Sequence, residues 1–351
     1  MKKYYIFMLL LIFSFFTSSA IYAQDEKSNV TFETEVSGVG ANAAAFLEIG
    51  VGARAIAMGG AYTAVSNDPS SVYWNPAGSA WAKNFQIELL HTDWLAATKY
   101  DFAGIVIPIP SIYSSIGFNL ISLDYGSAPV RTVDRPEGTG EMYDARDYAI
   151  SLSYAIALTQ QFSFGITGKY ISQRIWSETG STFAVDVGVF YYTGIKGFKL
   201  GASISNFGGN IQLSGRQLVT TVDPDKKVSN FDRVPVKYVV GSYPLPLLFR
   251  FGLSYDRSFG KFGDLLVSMD VNHPSNATES ISLGMEYGFG KMFYLRGGYQ
   301  NLFEEDSING LTLGGGIDYF FNGRMGIRID YAWSDWGILD SSQRFSLGLI
   351  F

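Results

Sequence analysis

The sequence predicts an all-β protein, a transmembrane β-barrel of about 14 antiparallel strands with a small N-terminal hatch inside the lumen. Three observations lead to this fold class. From residue 84 onward, large apolar residues alternate with small or polar ones, as in strands with two unlike faces. The connections between these segments alternate between tight and long. Aromatic residues reach 16% and glycines number 39, yet no apolar stretch after the N-terminus could span a membrane as a helix.

The first residues predict a signal peptide. Lys2 and Lys3 precede an apolar run from Tyr4 to Phe16, and small residues then lead to a cleavage site after Ala23. An uncleaved anchor is the weaker alternative, because the run is shorter than the ~20 residues that a spanning helix needs. The sequence contains no cysteine, which excludes a lipoprotein anchor and a disulfide framework. We therefore expect residues 1–23 to be removed.

Residues 24–83 precede the first strand and carry helix and turn signals. The stretch "ANAAAFLEIG" predicts a short helix that ends at Gly50. Asp68-Pro69 and Asn75-Pro76 each combine an N-capping side chain with proline at the first helical position. A barrel of this size is wide enough to need filling, so the segment is predicted to be a hatch in its mouth.

Residues 84–351 form the predicted barrel. Stretches such as "MGIRIDYAW" and "RFSLGLIF" carry the alternation most clearly. A soluble sandwich with one face in water is the alternative to a membrane barrel. The predicted strands lie near residues 84–95, 100–110, 113–125, 145–158, 160–174, 181–193, 197–206, 247–256, 262–272, 278–288, 292–300, 310–321, 323–333 and 342–351.

The connections favour the membrane barrel over the sandwich. Every even-to-odd connection is tight, whereas residues 126–144, 207–246, 301–309 and 334–341 form longer odd-to-even connections. Outer-membrane barrels have short periplasmic turns on one rim and longer extracellular loops on the other. The longer connections are therefore predicted to face the cell exterior.

Each predicted strand has a large apolar face and a face of small or polar residues. Charged residues on the small or polar face are predicted to point into the lumen. The turn Phe321-Asn322-Gly323 predicts that Asp318 lies diagonal to Arg328, and Glu286 and Arg296 flank the "GFGK" turn. Asp330 has the same parity as Arg328. These charges of both signs predict a cross-linked inner wall, and a merely wet, polar lumen is the open alternative.

The last residue, Phe351, ends an alternating strand. A terminal aromatic residue resembles the signal by which the outer-membrane assembly machinery recognises its clients, so that machinery is an expected partner. The predicted location is the outer membrane of a Gram-negative-type bacterium, with its lipids around the barrel.

Several functional classes are excluded. The net charge of −6 and the isoelectric point of about 5.1 argue against a nucleic-acid partner. His91 and His273 are the only histidines, too few and too separated for a zinc site or a catalytic triad. The "GVGARA" stretch lacks the βαβ context of a dinucleotide site. We therefore expect no cofactor, no metal and no enzyme activity.

The stretch "GARAIAMGGAYTAVSNDPSSVYWNPAG" resembles the N-terminal signature shared by the PorV/PorQ family and the FadL-type transporters of hydrophobic compounds. "LGASISNFGG", "FYLRGGY", and "IDYAWSDWG" followed by "QRFSLGLIF" resemble the later PorV/PorQ pattern, so the resemblance covers nearly the whole predicted mature chain. It implies a barrel of fourteen strands, with Asn75-Pro76-Ala77 in the hatch. In FadL-type proteins the hatch obstructs the lumen and apolar substrates leave through the wall. PorV serves type IX secretion and binds cargo proteins at the cell surface.

The expected function is movement of hydrophobic small molecules across the outer membrane. The alternative is a type IX secretion component that binds or shuttles secreted cargo proteins. The expected hatch motif comprises Gly59, Gly60, Asn75, Pro76, Ala77 and Gly78. A possible apolar pocket between hatch and wall is formed by Ala57, Met58, Tyr62, Val72 and Trp74. Plain packing of these five side chains is the alternative.

Overall fold

The structure is a computed structural model that describes residues 40–222, 234–304, 307–321 and 325–351. All of these belong to one compact unit, Gly38–Phe351. The predicted signal peptide, residues 1–23, lies outside the described residues. In the part of the chain that is described, no helix is long and apolar enough to cross a membrane.

Fourteen antiparallel strands form a closed barrel, which confirms the predicted fold class. Its first and last strands pair with each other, so the sheet has no free edge. The barrel strands are β1 (Gln86–Asp93), β2 (Lys99–Ile109), β3 (Ser114–Pro129), β4 (Met142–Ala157), β5 (Phe162–Ile175), β6 (Glu178–Tyr192), β7 (Phe198–Gly208), β10 (Leu248–Ser258), β11 (Asp264–Pro274), β12 (Ser280–Phe289), β13 (Phe293–Leu302), β14 (Leu311–Phe321), β15 (Met325–Asp335) and β16 (Ser341–Ile350). Two short strands, β8 (Val219–Val222) and β9 (Val234–Lys237), pair outside the barrel.

The helices are short. The α-helices are α1 (Ala53–Ala57) and α2 (Ser71–Trp74). The 3-10 helices are Ala45–Glu48, Pro76–Trp81, Leu95–Ala97, Pro110–Ile112, Arg216–Leu218, Gly260–Phe262 and Gly337–Leu339.

Each strand presents one face to the outside and the other to the lumen. On β16, Phe345 and Leu347 are exposed on the outer face, whereas Arg344 and Ser346 are buried on the inner one. Successive side chains of a strand point to opposite faces, so the alternation in the sequence becomes an apolar outer belt and a small, polar inner wall.

Strands β3 and β4 extend beyond their predicted ends, and the predicted connection 126–144 is reduced to residues 130–141. Charges lie on the outer faces near the predicted ends, where Arg146 forms an ion pair with Asp124. They interrupt the apolar period, whereas the pairing of β3 with β4 continues through a register shift to Pro129 and Met142. The alternation therefore marks the apolar belt and not the whole strand.

The connections differ between the two rims. Those after β2, β4, β6, β10, β12 and β14 have three to five residues. On the other rim, the connections after β3, β7 and β13 are longer, whereas those after β1, β11 and β15 have five residues. The connection between β5 and β6 is an exception, with only residues 176–177. The predicted loop 207–246 contains β8 and β9, which the sequence analysis missed.

The luminal segment, defined here as residues 40–82, fills the barrel. Helix α1 packs against β13–β16, and the 3-10 helix Pro76–Trp81 packs against β2–β6 on the other side of the ring. The apolar core of the protein lies mainly in this segment, where Phe46, Ile56 and Met58 are almost fully buried. The predicted boundary between hatch and barrel, residues 83 and 84, remains a prediction; β1 begins at Gln86.

Candidate functional site

Glycines on the inner wall allow the backbone of the luminal segment to approach the strands. At eight inward-facing glycines, an added Cβ would lie less than 3.0 Å from an atom of the segment or of a side chain that holds it. Three pairs face each other across neighbouring strands, namely Gly165 with Gly188, Gly201 with Gly252 and Gly284 with Gly298. Since even one methyl group would displace backbone, these positions fix the segment against the wall. The eight glycines are Gly117, Gly165, Gly188, Gly201, Gly252, Gly284, Gly298 and Gly314.

Asn75 links two parts of the luminal segment to the barrel. Its side-chain amide donates to the carbonyl oxygens of Thr63 and Val189, each at 2.9 Å, and its Oδ1 accepts from the Ala77 N–H at 3.1 Å. Pro76 begins the 3-10 helix that Asn75 caps. The side chain is fully buried, so all three bonds are shielded from water.

Further wall residues hold the backbone of the segment. Asp270 Oδ2 accepts from the N–H groups of Tyr62 and Thr63 at 3.0 and 2.9 Å. Hydroxyl groups on β14 and β16 accept from Gly59 N and Ala53 N at 3.0 and 2.9 Å. These bonds satisfy backbone donors that are cut off from water inside the barrel.

Ion pairs join the luminal segment to the wall. Arg54 of α1 contacts Glu286 through two hydrogen bonds of 2.8 Å. Arg296 donates to Glu286 and to Asp330, both at 2.6 Å. Glu286 therefore shares Arg296 of β13 with Asp330 and also pairs with Arg54 of the segment, in a network that the sequence analysis did not anticipate for Arg54.

The pair Asp318 and Arg328 corrects one predicted detail. These residues lie directly opposite each other and not diagonally, and Arg328 donates to both carboxylate oxygens at 2.9 and 2.8 Å. Phe321 pairs with Met325, so the turn comprises residues 322–324, which lie outside the described residues. Glu286 and Arg296 are also directly opposite. Of the two open alternatives, the inner wall has the cross-linked arrangement.

The other predicted motif glycines lie at close contacts. Gly59 has a φ of 66°, and a side chain there would meet the backbone of Leu283 and Tyr299. Gly60 lies beside the Trp74 ring, and a Cβ at Gly78 would overlap the carbonyl group of Ser66. The motif residues thus occupy positions where the segment folds tightly on itself or on the wall.

A cavity of about 430 Å³ lies between the luminal segment and the wall, at the rim of the longer connections. Four aromatic residues contribute to its lining: Tyr73 and Trp74 pack edge to face with centroids 5.0 Å apart, and so do Trp94 and Trp336. Arg250 and Arg344 also line it. Its volume lies within the range of small-molecule sites.

The residues of the predicted apolar pocket do not stay together in this cavity. Trp74 lines it, whereas Ala57, Met58, Tyr62 and Val72 are fully buried and contribute nothing to its surface. The Tyr62 hydroxyl donates to Asp68 and accepts from Arg54. A pocket made by all five residues remains a prediction.

Sequence reasoning missed two features of the site. Arg250 has inward parity between the outward-facing Phe249 and Phe251, a signal that could have been used. The inward-facing glycines were interpreted only as small residues, although their number signals close backbone approach.

The remaining candidate residues lie elsewhere. Phe351 packs its ring on Phe85 at 5.6 Å, and its N–H donates to the Phe85 carbonyl oxygen. His91 and His273 are exposed and contact Asp101 and Glu279. Among the residues for which coordinates are described, no group of three or more potential metal ligands occurs.

Solved structures share this architecture. The toluene transporter TodX of Pseudomonas putida is similar over 86% of this chain and 97% of its own, with 14% identity and a TM-score of 0.53. The monoaromatic hydrocarbon channel CymD is similar over 86% of this chain and 96% of its own, with 12% identity and a TM-score of 0.55. The toluene transporter TbuX of Ralstonia pickettii is similar over 86% of this chain and 97% of its own, with 12% identity and a TM-score of 0.52. At such identities the likeness shows the fold.

Comparison of sequences gives the family. No curated protein sequence matches the chain. The family described as type IX secretion system protein PorV matches residues 32–217, which is more than half of the 351 residues. Together with the closed barrel and its apolar outer belt, this match places the protein in the outer membrane. The chain belongs to the PorV family of outer-membrane β-barrel proteins.

Proposed function

We propose that this barrel moves hydrophobic small molecules across the outer membrane and that the cavity beside the luminal segment is where they bind first. The observation that carries this proposal is the aromatic surface of that cavity, formed by Tyr73, Trp74, Trp94 and Trp336. Apolar ligands gain free energy from burial against such rings without needing many polar partners. The relatives described as toluene and monoaromatic hydrocarbon channels favour the same class of ligand.

The luminal segment is the proposed gate. On this proposal the luminal segment obstructs the lumen, so passage requires part of the segment to move. Asn75 and Pro76 hold the turn that connects α2 to the following 3-10 helix. Loosening this turn should therefore change the movement of ligand. On this proposal the chain is not an enzyme, and its other partners are the surrounding lipids.

Uptake of radiolabelled toluene by cells that contain or lack the protein tests the proposal. Cells with the protein should take up toluene faster, and the variant Asn75→Ala/Pro76→Ala should raise uptake further. A matched control is Asn210→Ala, because Asn210 is exposed in a connection. Equal uptake with and without the protein would contradict the transport proposal.

The second candidate function is in type IX secretion, where the chain would hold cargo proteins at the cell surface. The family description favours it. So does the hairpin β8–β9, on which Val219, Val222, Val234 and Val236 are exposed at the rim of the longer connections. Exposed apolar side chains of this kind suit a protein partner.

The same cells distinguish the two functions. Ile211 and Tyr243 exchange two backbone hydrogen bonds at the base of the hairpin, so residues 212–242 can be replaced by a short Gly-Ser linker. Normal toluene uptake together with accumulation of secreted proteins inside these cells would favour the secretion role over transport.

A further inference from the structure

Two arginines line the cavity from different strands. Arg250 lies on β10 and Arg344 on β16, with side chains directed inward, and the residues are only 4% and 2% exposed. Both contribute to the surface of the 430 Å³ cavity. Burying a guanidinium is costly, so a buried arginine normally has a carboxylate partner.

Neither arginine has a carboxylate partner among the described residues. Arg54, Arg296 and Arg328 form ion pairs within 4.0 Å, whereas Arg250 and Arg344 form none with any described residue. Their hydrogen bonds are long and neutral. Arg250 donates to the Ser205 and Tyr73 hydroxyls at 3.3 and 3.4 Å, and Arg344 donates to the Gly50 carbonyl oxygen at 3.2 Å.

Aromatic faces support both guanidiniums. Arg250 lies over the rings of Tyr73 and Trp74, at 5.2 and 5.1 Å from the ring centroids. Arg344 lies over Trp94 at 4.9 Å. Such stacking holds a guanidinium in place but occupies its face and leaves N–H donors on its edge. The buried Nε of Arg344 has no hydrogen-bond partner within the described ranges.

Tyr73 connects the two cations. Burial raises the pKa of its phenol, and the charges of Arg250 and Arg344 both act in the opposite direction. Both guanidiniums therefore lie within electrostatic reach of one hydroxyl. The charge of Glu48 also acts on Tyr73, and the charges of Glu48 and Asp270 act on Arg250. Among the described residues, Arg344 is therefore the less compensated of the two cations.

From this arrangement we infer that the cavity takes a compact amphipathic monocarboxylate, whose carboxylate meets Arg344 and whose apolar, preferably aromatic, body packs among the tryptophans. A carboxylate supplies the acceptors that the unpaired N–H donors lack. The inference rests on the proposed function in that the cavity is the ligand site, and it adds the charge of the ligand. A neutral hydrocarbon would leave both arginines unpaired.

Acidic residues limit the ligand to low charge. Glu48 and Glu304 also line the cavity, and Glu48 is exposed, where it accepts a hydrogen bond from Asn276 at 2.9 Å. These carboxylates repel anions near the entrance, while the buried arginines attract them deeper inside. One anionic group on an apolar body suits this pattern, and a polyanion does not.

Isothermal titration calorimetry of the purified protein with 3-phenylpropionate tests the inference. Its neutral amide, 3-phenylpropanamide, has nearly the same shape and is expected to bind about tenfold or more weakly, since its oxygen is an uncharged acceptor and the ion pair with the arginine is lost. This comparison uses the wild-type protein alone, so it does not depend on any variant folding.

Variants identify the residues. Arg344→Gln should weaken 3-phenylpropionate binding by about tenfold and change amide binding much less. Arg250→Gln removes only a nearby positive charge and should weaken binding of the acid less than Arg344→Gln does. Arg146→Gln is the matched control, because Arg146 lies on the outer face. Glu48→Gln should tighten binding, since it removes negative charge but keeps the acceptor for Asn276. Heat-modifiable electrophoretic mobility confirms that each variant is a closed barrel.

Equal affinity for the acid and the amide would overturn the inference and leave the proposed function standing. Binding of neither probe to the wild-type protein would contradict the use of this cavity altogether. Binding of a short peptide through its free C-terminal carboxylate, without binding of 3-phenylpropionate, would also overturn the assignment and favour a cargo site. Tenfold selectivity for the acid that is lost in Arg344→Gln would support it.

Discussion

At the scale of single residues, the inward-facing cations belong to two groups. Arg54, Arg296 and Arg328 are paired with carboxylates, and Arg250 and Arg344 are not. Strand parity predicted that Arg296 and Arg328 point inward. It could not predict which cations are paired, because pairing depends on strand register and on where the luminal segment places Arg54.

The two groups should differ in their contribution to stability. Arg296→Met leaves Asp330 without its ion-pair partner in the barrel interior and should lower the free energy of unfolding by about 3–5 kcal/mol. Arg344→Met removes an unpaired buried charge, so its effect should remain within about 1 kcal/mol. Urea-induced unfolding in lipid vesicles measures both. An equal loss for the two variants would contradict this division.

At the scale of elements, alternation predicted the barrel strands well and their ends less well. The outward ion pair between Arg146 and Asp124 shows why, since a ladder of backbone hydrogen bonds continues where the apolar period stops. The hairpin β8–β9 was missed because both strands have only four residues and neither strand has a buried face that would produce an alternating pattern. The helix caps at Asn75-Pro76 were predictable, because capping depends on local sequence.

The glycines of the inner wall give an element-scale prediction. In Gly298→Ala the new methyl group would overlap the backbone around Gly59, so the barrel should lose about 1–3 kcal/mol of stability. Gly168→Ala is the matched control on another strand, because an added Cβ there has no neighbour within 4 Å. Urea unfolding compares the two. A Gly298→Ala barrel as stable as the control would show that the segment is not held closely at this strand.

At the scale of the whole molecule, the sequence predicted a filled barrel but not how it is filled. Helix and turn signals in residues 24–83 predicted a compact segment, and strand parity predicted a polar inner wall. The close fit of the segment against the inner wall was not predictable, because Gly165, Gly188 and Gly298 are distant in sequence from the atoms they accommodate. The cavity likewise arises where the segment and four connections meet.

The central claim is that the luminal segment is anchored to the wall and closes the lumen. Conductance across a planar lipid bilayer tests it most directly. The wild-type protein should show no steady open pore, whereas Asn75→Ala/Pro76→Ala, which removes the three hydrogen bonds of Asn75, should show frequent openings as the segment loosens. A steady, wide-pore conductance in the wild-type protein, unchanged in this variant, would contradict the account.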